Sequence, residues 1–174
     1  MKRLSALGVI TISQLILGAV LLVDDAVAQQ KSPQELLVGA WTFVSADSVR
    51  SDGSKVAVFG SNPKGIIIFT GDGHFALVQM RADIPKLASN SRDQGTPEEY
   101  KAIVQGSIAY FGRYSLNEAE KVINIQLEGS TFANLMGGGE QKRIITTLTT
   151  DELKFANRST ASGATLEVAW KRGR

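Results

Sequence analysis

In Ile123–Leu148, INIQLEGSTFANLMGGGEQKRIITTL, two strands are written around a glycine-rich connection. The first arm alternates: Ile123, Ile125 and Leu127 fall on one face, Asn124, Gln126 and Glu128 on the other. A period of two marks a strand with unlike faces. The second arm, Gln141–Leu148, is rich in the β-branched residues Ile and Thr. Between the arms lies a loop longer than a turn, carrying Phe132, Leu135, Met136 and the successive glycines Gly137, Gly138 and Gly139. Such glycines take backbone angles that other residues resist.

Outward from this hairpin the same grammar repeats. Upstream, strands are expected from Gly39 to about Ala46, at Lys55–Phe59, Gly65–Thr70, His74–Met80 and Ala109–Leu116. Downstream they are expected at Glu152–Ala156 and Thr165–Lys171. Turn signals separate them: Asp52-Gly53, Asn62-Pro63-Lys64-Gly65, Gly71-Asp72-Gly73, Asn117-Glu118, Thr150-Asp151 and Ser162-Gly163. Arg81–Gly95 interrupts the rhythm as a long polar loop. Thr96-Pro97-Glu98-Glu99 follows it and reads as a helix start with a capping box. Tyr100, Ile103, Val104 and Ile108 form the apolar stripe of one helix of about ten residues. About nine short antiparallel strands with one inserted helix predict an all-β barrel or sandwich. A closed barrel of about eight strands hides its edges and encloses a cavity.

The chain opens Met1-Lys2-Arg3, runs apolar from Leu4 to Val23 and reaches Ala26-Val27-Ala28. Charged start, apolar middle and small-x-small end predict a secretory signal over residues 1–28, cleaved after Ala28. Residues 29–174 then form one domain, exported to the periplasm or beyond, with no stable membrane insertion. The chain has no cysteine, so neither a disulfide nor a lipid-modified cysteine is available. Its net charge of +2 is nearly neutral. Lys171, Arg172 and Arg174 make only a small basic tail, so nucleic acid is not an expected partner.

Gly39-Ala40-Trp41 resembles the lipocalin signature at a first strand. A longer set of stretches resembles the bacterial lipocalin-like domain family, a calycin-type barrel. These are Leu37–Ser45, Pro63-Lys64-Gly65, Phe69–Gly73, Val78–Pro85, Ala109–Tyr114, Glu128-Gly129-Ser130, Gln141-Lys142-Arg143 and Trp170-Lys171-Arg172. They cover essentially all of residues 29–174. The resemblance implies an antiparallel lipocalin-like β-barrel of eight to nine strands. It also implies that Trp41 closes the barrel floor beneath a basic side chain, Arg172 or Lys171. Where members often carry histidines before Glu-Gly-Ser, this chain has Ile125 and Gln126. A Pro-Asn-Trp-like loop run is here Ala133-Asn134-Leu135.

The chemistry is narrow. His74 is the only histidine, and zinc or copper needs several soft ligands, so no metal is expected. No Gly-x-Ser-x-Gly elbow occurs, and the triple glycine lacks the Lys-Ser/Thr of a phosphate loop. No cofactor is expected. The remaining candidates line a barrel mouth. If the Ile123–Leu148 hairpin closes symmetrically about Leu135-Met136, Glu128 and Arg143 face each other, as a surface pair or a ligand-orienting one. Tyr110, Arg113 and Tyr114 would join them from another strand, with Asn134 on the loop and Arg81 at the mouth of the long loop. The leading expectation is a binding protein for a small, largely apolar molecule. The alternatives are an isomerase, cyclase or hydratase using Glu128 as acid or base, and a structural or interaction domain with a filled barrel.

Overall fold

The computed structural model describes residues 30–158 and 164–173. The expected leader and the Ser162-Gly163 turn lie outside the described residues. Within them the order is α1 (Pro33–Leu37), β1 (Gly39–Val49), β2 (Lys55–Ala57), β3 (Lys64–Phe69), β4 (His74–Met80), α2 (Pro97–Gly106) and β5 (Ser107–Asn117). Then come β6 (Val122–Ser130), a 3₁₀ turn at Ala133–Leu135, β7 (Gln141–Leu148), β8 (Glu152–Asn157) and β9 (Thr165–Arg172).

Every pairing is antiparallel, in the order β1-β3-β4-β5-β6-β7-β8-β9, and β9 returns to β1. Trp41 pairs with Arg172 at one end of that closing ladder and Val49 with Thr165 at the other. Eight strands therefore close the barrel. The ninth, β2, pairs only with the last turn of the ladder on β1, from Asp47↔Ala57 to Val49↔Lys55. Register shifts at Phe43/Ser45, Phe111/Gly112 and Ile145/Thr147 are β-bulges, which bend strands as closure requires.

Strand alternation sends one face inward. Phe43 meets Trp170 at 5.0 Å and the edge of Phe59 at 5.6 Å, while Phe69 meets Tyr114 at 4.9 Å. Leu37 of α1 is fully buried and plugs the end that Trp41 occupies. Aromatic rings bring large buried area with fixed geometry, which suits a barrel interior without disulfides.

Three expectations need correction. β1 runs past Ala46 to Val49, because its far end finds partners on both β2 and β9. The second strand stops at Ala57, and Phe59 turns into the core instead of alternating outward. The stripe assigned to α2 is not one packed face. Val104 is 71% exposed and Ile108 belongs to β5. Tyr100 serves the preceding loop: its hydroxyl donates to the Arg92 carbonyl at 3.0 Å and accepts from the Gly95 amide at 2.7 Å. Both helices carry the capping box, Ser32 with Glu35 and Thr96 with Glu99. Glu99 also accepts from the Ala88 amide, which ties the long loop to the helix start.

Candidate ligand-binding site

The hairpin expected to join Glu128 to Arg143 is not symmetric about Leu135-Met136. β6 and β7 pair through Val122↔Ile144, Ile123↔Arg143, Asn124↔Lys142 and Ile125↔Gln141, where the ladder ends. The 3₁₀ turn at Ala133–Leu135 and the glycines at positive φ, Gly137 and Gly139, take up the remaining residues. Arg143 therefore lies opposite Ile123, five residues from Glu128 along β6. Glu128 instead occupies the bulge against β5, since Phe111 pairs with Gly129 but Gly112 with Leu127. Gly112 permits that close approach: a Cβ there would sit 2.0 Å from the Gln126 carbonyl oxygen. Glu128 points outward and pairs with Arg113 at 3.3 Å, both side chains about half exposed.

The other candidates separate as well. Tyr114 is buried, and its hydroxyl donates to the Thr70 carbonyl at 2.7 Å and accepts from the Gln34 amide at 3.1 Å. Burial pushes its phenol pKa up. With both bonds made, Tyr114 ties α1 to the β3–β4 turn. Tyr110 sets its ring edge-on to Phe75 at 6.0 Å and packs against the core. Asn134 is exposed on the 3₁₀ turn. Arg81 forms a two-pronged bond with Asp83, at 2.9 and 3.0 Å. That hydrogen bond holds the Asp83 carboxyl below its usual range. Arg113, Glu128, Asn134 and Arg81 thus stay outside, whereas Arg143 is 4% exposed and interior.

At the opposite end Arg172 stacks on Trp41, its guanidinium carbon 3.7 Å from the ring centroid. Trp41 is fully buried and donates its indole N–H to the Leu37 carbonyl at 2.9 Å. Arg172 donates to the carbonyls of Leu36, of Val38 at 3.0 Å and of Thr150 at 2.9 Å. It satisfies the end of α1 where helix carbonyls lack partners.

A roomy concavity lies elsewhere. A cleft of about 670 Å³ opens between α2, the outer side of β4–β5, the Val58-Phe59 segment and the start of the β6–β7 loop. Val78, Met80, Ile103, Val104 and Phe132 supply apolar lining. Arg92, Gln105, Ser107 and Thr131 supply the polar groups. The volume falls within the range of about 300–1,000 Å³ usual for small-molecule sites. Sequence reasoning missed most of this lining. One signal was present: a helix with an apolar residue at Val104 and no strand face to cover it. Among the described residues no three His, Cys, Asp or Glu side chains gather as a metal site, and no helix is long and apolar enough to cross a membrane.

A crystal structure of a lipocalin-like protein from Bacteroides uniformis is 16% identical, with a TM-score of 0.44, covering 79% of this chain and 99% of that one. A redesigned β-barrel, mFAP1, bound to DFHBI, is 16% identical with a TM-score of 0.40, covering 82% of this chain and 100% of that one. No curated protein matches the sequence. The profile of the lipocalin-like domain matches residues 38–173, from the residue before β1 to the residue after β9. On that match, the chain belongs to the lipocalin-like domain family.

Proposed function

We propose that this barrel is a binding protein for a small, largely apolar molecule, taken up in the cleft beneath α2. The observation that carries this reading is the cleft itself, about 670 Å³ and walled by Val78, Met80, Ile103, Val104 and Phe132. Apolar walls with a few polar groups are the usual make-up of such sites. Val104 and Phe132 are exposed, so covering them removes apolar area from water. On the leader Met1–Ala28 we read the protein as exported. The enzyme alternative rested on Glu128, and an outward carboxylate paired with Arg113 lacks the burial that would equip it as an acid or base.

Titration with N-phenyl-1-naphthylamine, a neutral apolar dye that brightens out of water, tests the reading. Saturable binding is expected, weakened about ten-fold, or about 1.4 kcal/mol, by Val104→Glu together with Phe132→Glu. Both residues are exposed, so these changes spare the core. Dye that fails to saturate, or binds the double variant equally well, would end the proposal.

A further inference from the structure

Arg143 is the one charged side chain in the buried interior of the described residues. Its direction follows from register. It pairs with Ile123, which is fully buried, and lies two residues before Ile145 on the same face of β7. Its guanidinium has five N–H donors. Two neutral acceptors meet it: Gln141 Oε1 at 2.8 Å and the Lys142 carbonyl at 3.3 Å. The ion pairs among the described residues join partly exposed groups, and none includes Arg143. A cation held out of water without an anion is strongly unfavourable unless something supplies the opposite charge. Among the described residues the buried Trp170 indole N–H also lacks an acceptor.

We propose that Arg143, oriented by Gln141, is an internal recognition point for the carboxylate of a small organic acid with an apolar body. The guanidinium fork matches a carboxylate with two parallel bonds. A monoanion neutralises the single interior charge, whereas a phosphate dianion would leave a buried negative charge in its place. The apolar body follows from the neighbours in register, Ile123 opposite Arg143 and Ile125 opposite Gln141. Gln141 Nε2 donates to the Leu135 carbonyl at 3.5 Å. The residue that aims the guanidinium is thus tied to the β6–β7 loop. This subsite is separate from the cleft beneath α2, so the two readings fail independently.

The experiment compares octanoate with octanol by calorimetry on the mature protein, with octyl phosphate as a third arm. Octanoate is expected to bind at least ten-fold more tightly than octanol and than octyl phosphate. Arg143→Met should abolish the preference for the acid while leaving N-phenyl-1-naphthylamine binding unchanged. Arg143→Lys, keeping charge without the fork, should retain part of it. Equal affinity of the wild type for octanoate and octanol overturns the proposal without recourse to any variant. So does an acid preference that survives in Arg143→Met, or a preference for the phosphate.

Discussion

The guanidinium of Arg172 lies 3.7 Å above the ring of Trp41 while donating to the carbonyls of Leu36 and Val38 at the end of α1 and of Thr150 in the β7–β8 turn. One side chain thereby fastens the last strand, the first helix and the floor tryptophan. A cation over an indole contributes about 0.5–2 kcal/mol. The three backbone acceptors add to that, because each loses its partner if Arg172 is cut back.

For this floor, Trp41→Ala should cost about 3–5 kcal/mol, the range for a large buried aromatic. Arg172→Met should cost about 1–3 kcal/mol through the orphaned carbonyls. Urea melts of each variant check both values. A Trp41→Ala loss under about 1 kcal/mol, the size of a surface change, would remove the tryptophan from its structural role.

The Arg113–Glu128 pair should behave as a surface contact. Glu128→Gln and Arg113→Gln should each cost less than about 1 kcal/mol, with a coupling energy no larger. Raising the salt concentration should shrink that coupling further. A double-mutant cycle returning about 3 kcal/mol or more, as for a buried pair, would contradict the half-exposed geometry.

Arg143→Met should hold or raise stability in the absence of ligand. Replacing an unmatched buried cation by an apolar chain of similar length removes a desolvation cost and keeps the packing. The urea midpoint of the ligand-free protein reads this. A loss of about 3 kcal/mol or more would mean that the guanidinium is compensated within the fold.

Gly112→Ala should be among the most damaging single changes, about 3 kcal/mol, the top of the ordinary range. The new Cβ meets backbone, the Gln126 carbonyl at 2.0 Å and the Glu128 amide at 2.9 Å, and backbone cannot rotate away as a side chain can. A melt within about 0.5 kcal/mol of wild type, the scale of a surface change, would show that the bulge is not a fixed feature.

Asp72 supplies a pH prediction. The Thr70 hydroxyl, and after it His74, hold its carboxyl at about 2 against an ordinary 3.8. A depressed folded-state pKa adds stability above the unfolded value and loses it as pH falls through the folded one. The contribution is therefore complete above about pH 4 and gone near pH 2. Between those limits wild type should lose more stability than Asp72→Asn, as measured by urea midpoints across the window. Parallel curves for the two proteins would show that the β3–β4 turn does not bind the carboxylate in solution.

The period-two stretches, the turn dipeptides and the Thr96 capping box made the strand order and α2 legible from residues alone, because those signals act within a few positions. The floor was legible in a different way: the resemblance to lipocalin-like stretches implied Trp41 beneath Arg172 or Lys171, and Arg172 is the one that stacks on it. What the residues left open was decided by register, which depends on contacts between distant segments. A loop with a 3₁₀ turn and three glycines has no unique closing geometry from sequence, and symmetric closure placed Arg143 five residues wrong. Alternation along β6 keeps Glu128 on the outer face, where it meets Arg113, and the ladder at Ile123 turns Arg143 inward. The cleft beneath α2 likewise exists only once the closed sheet curves past a helix whose Val104 nothing covers, a relation between surfaces that no local pattern encodes.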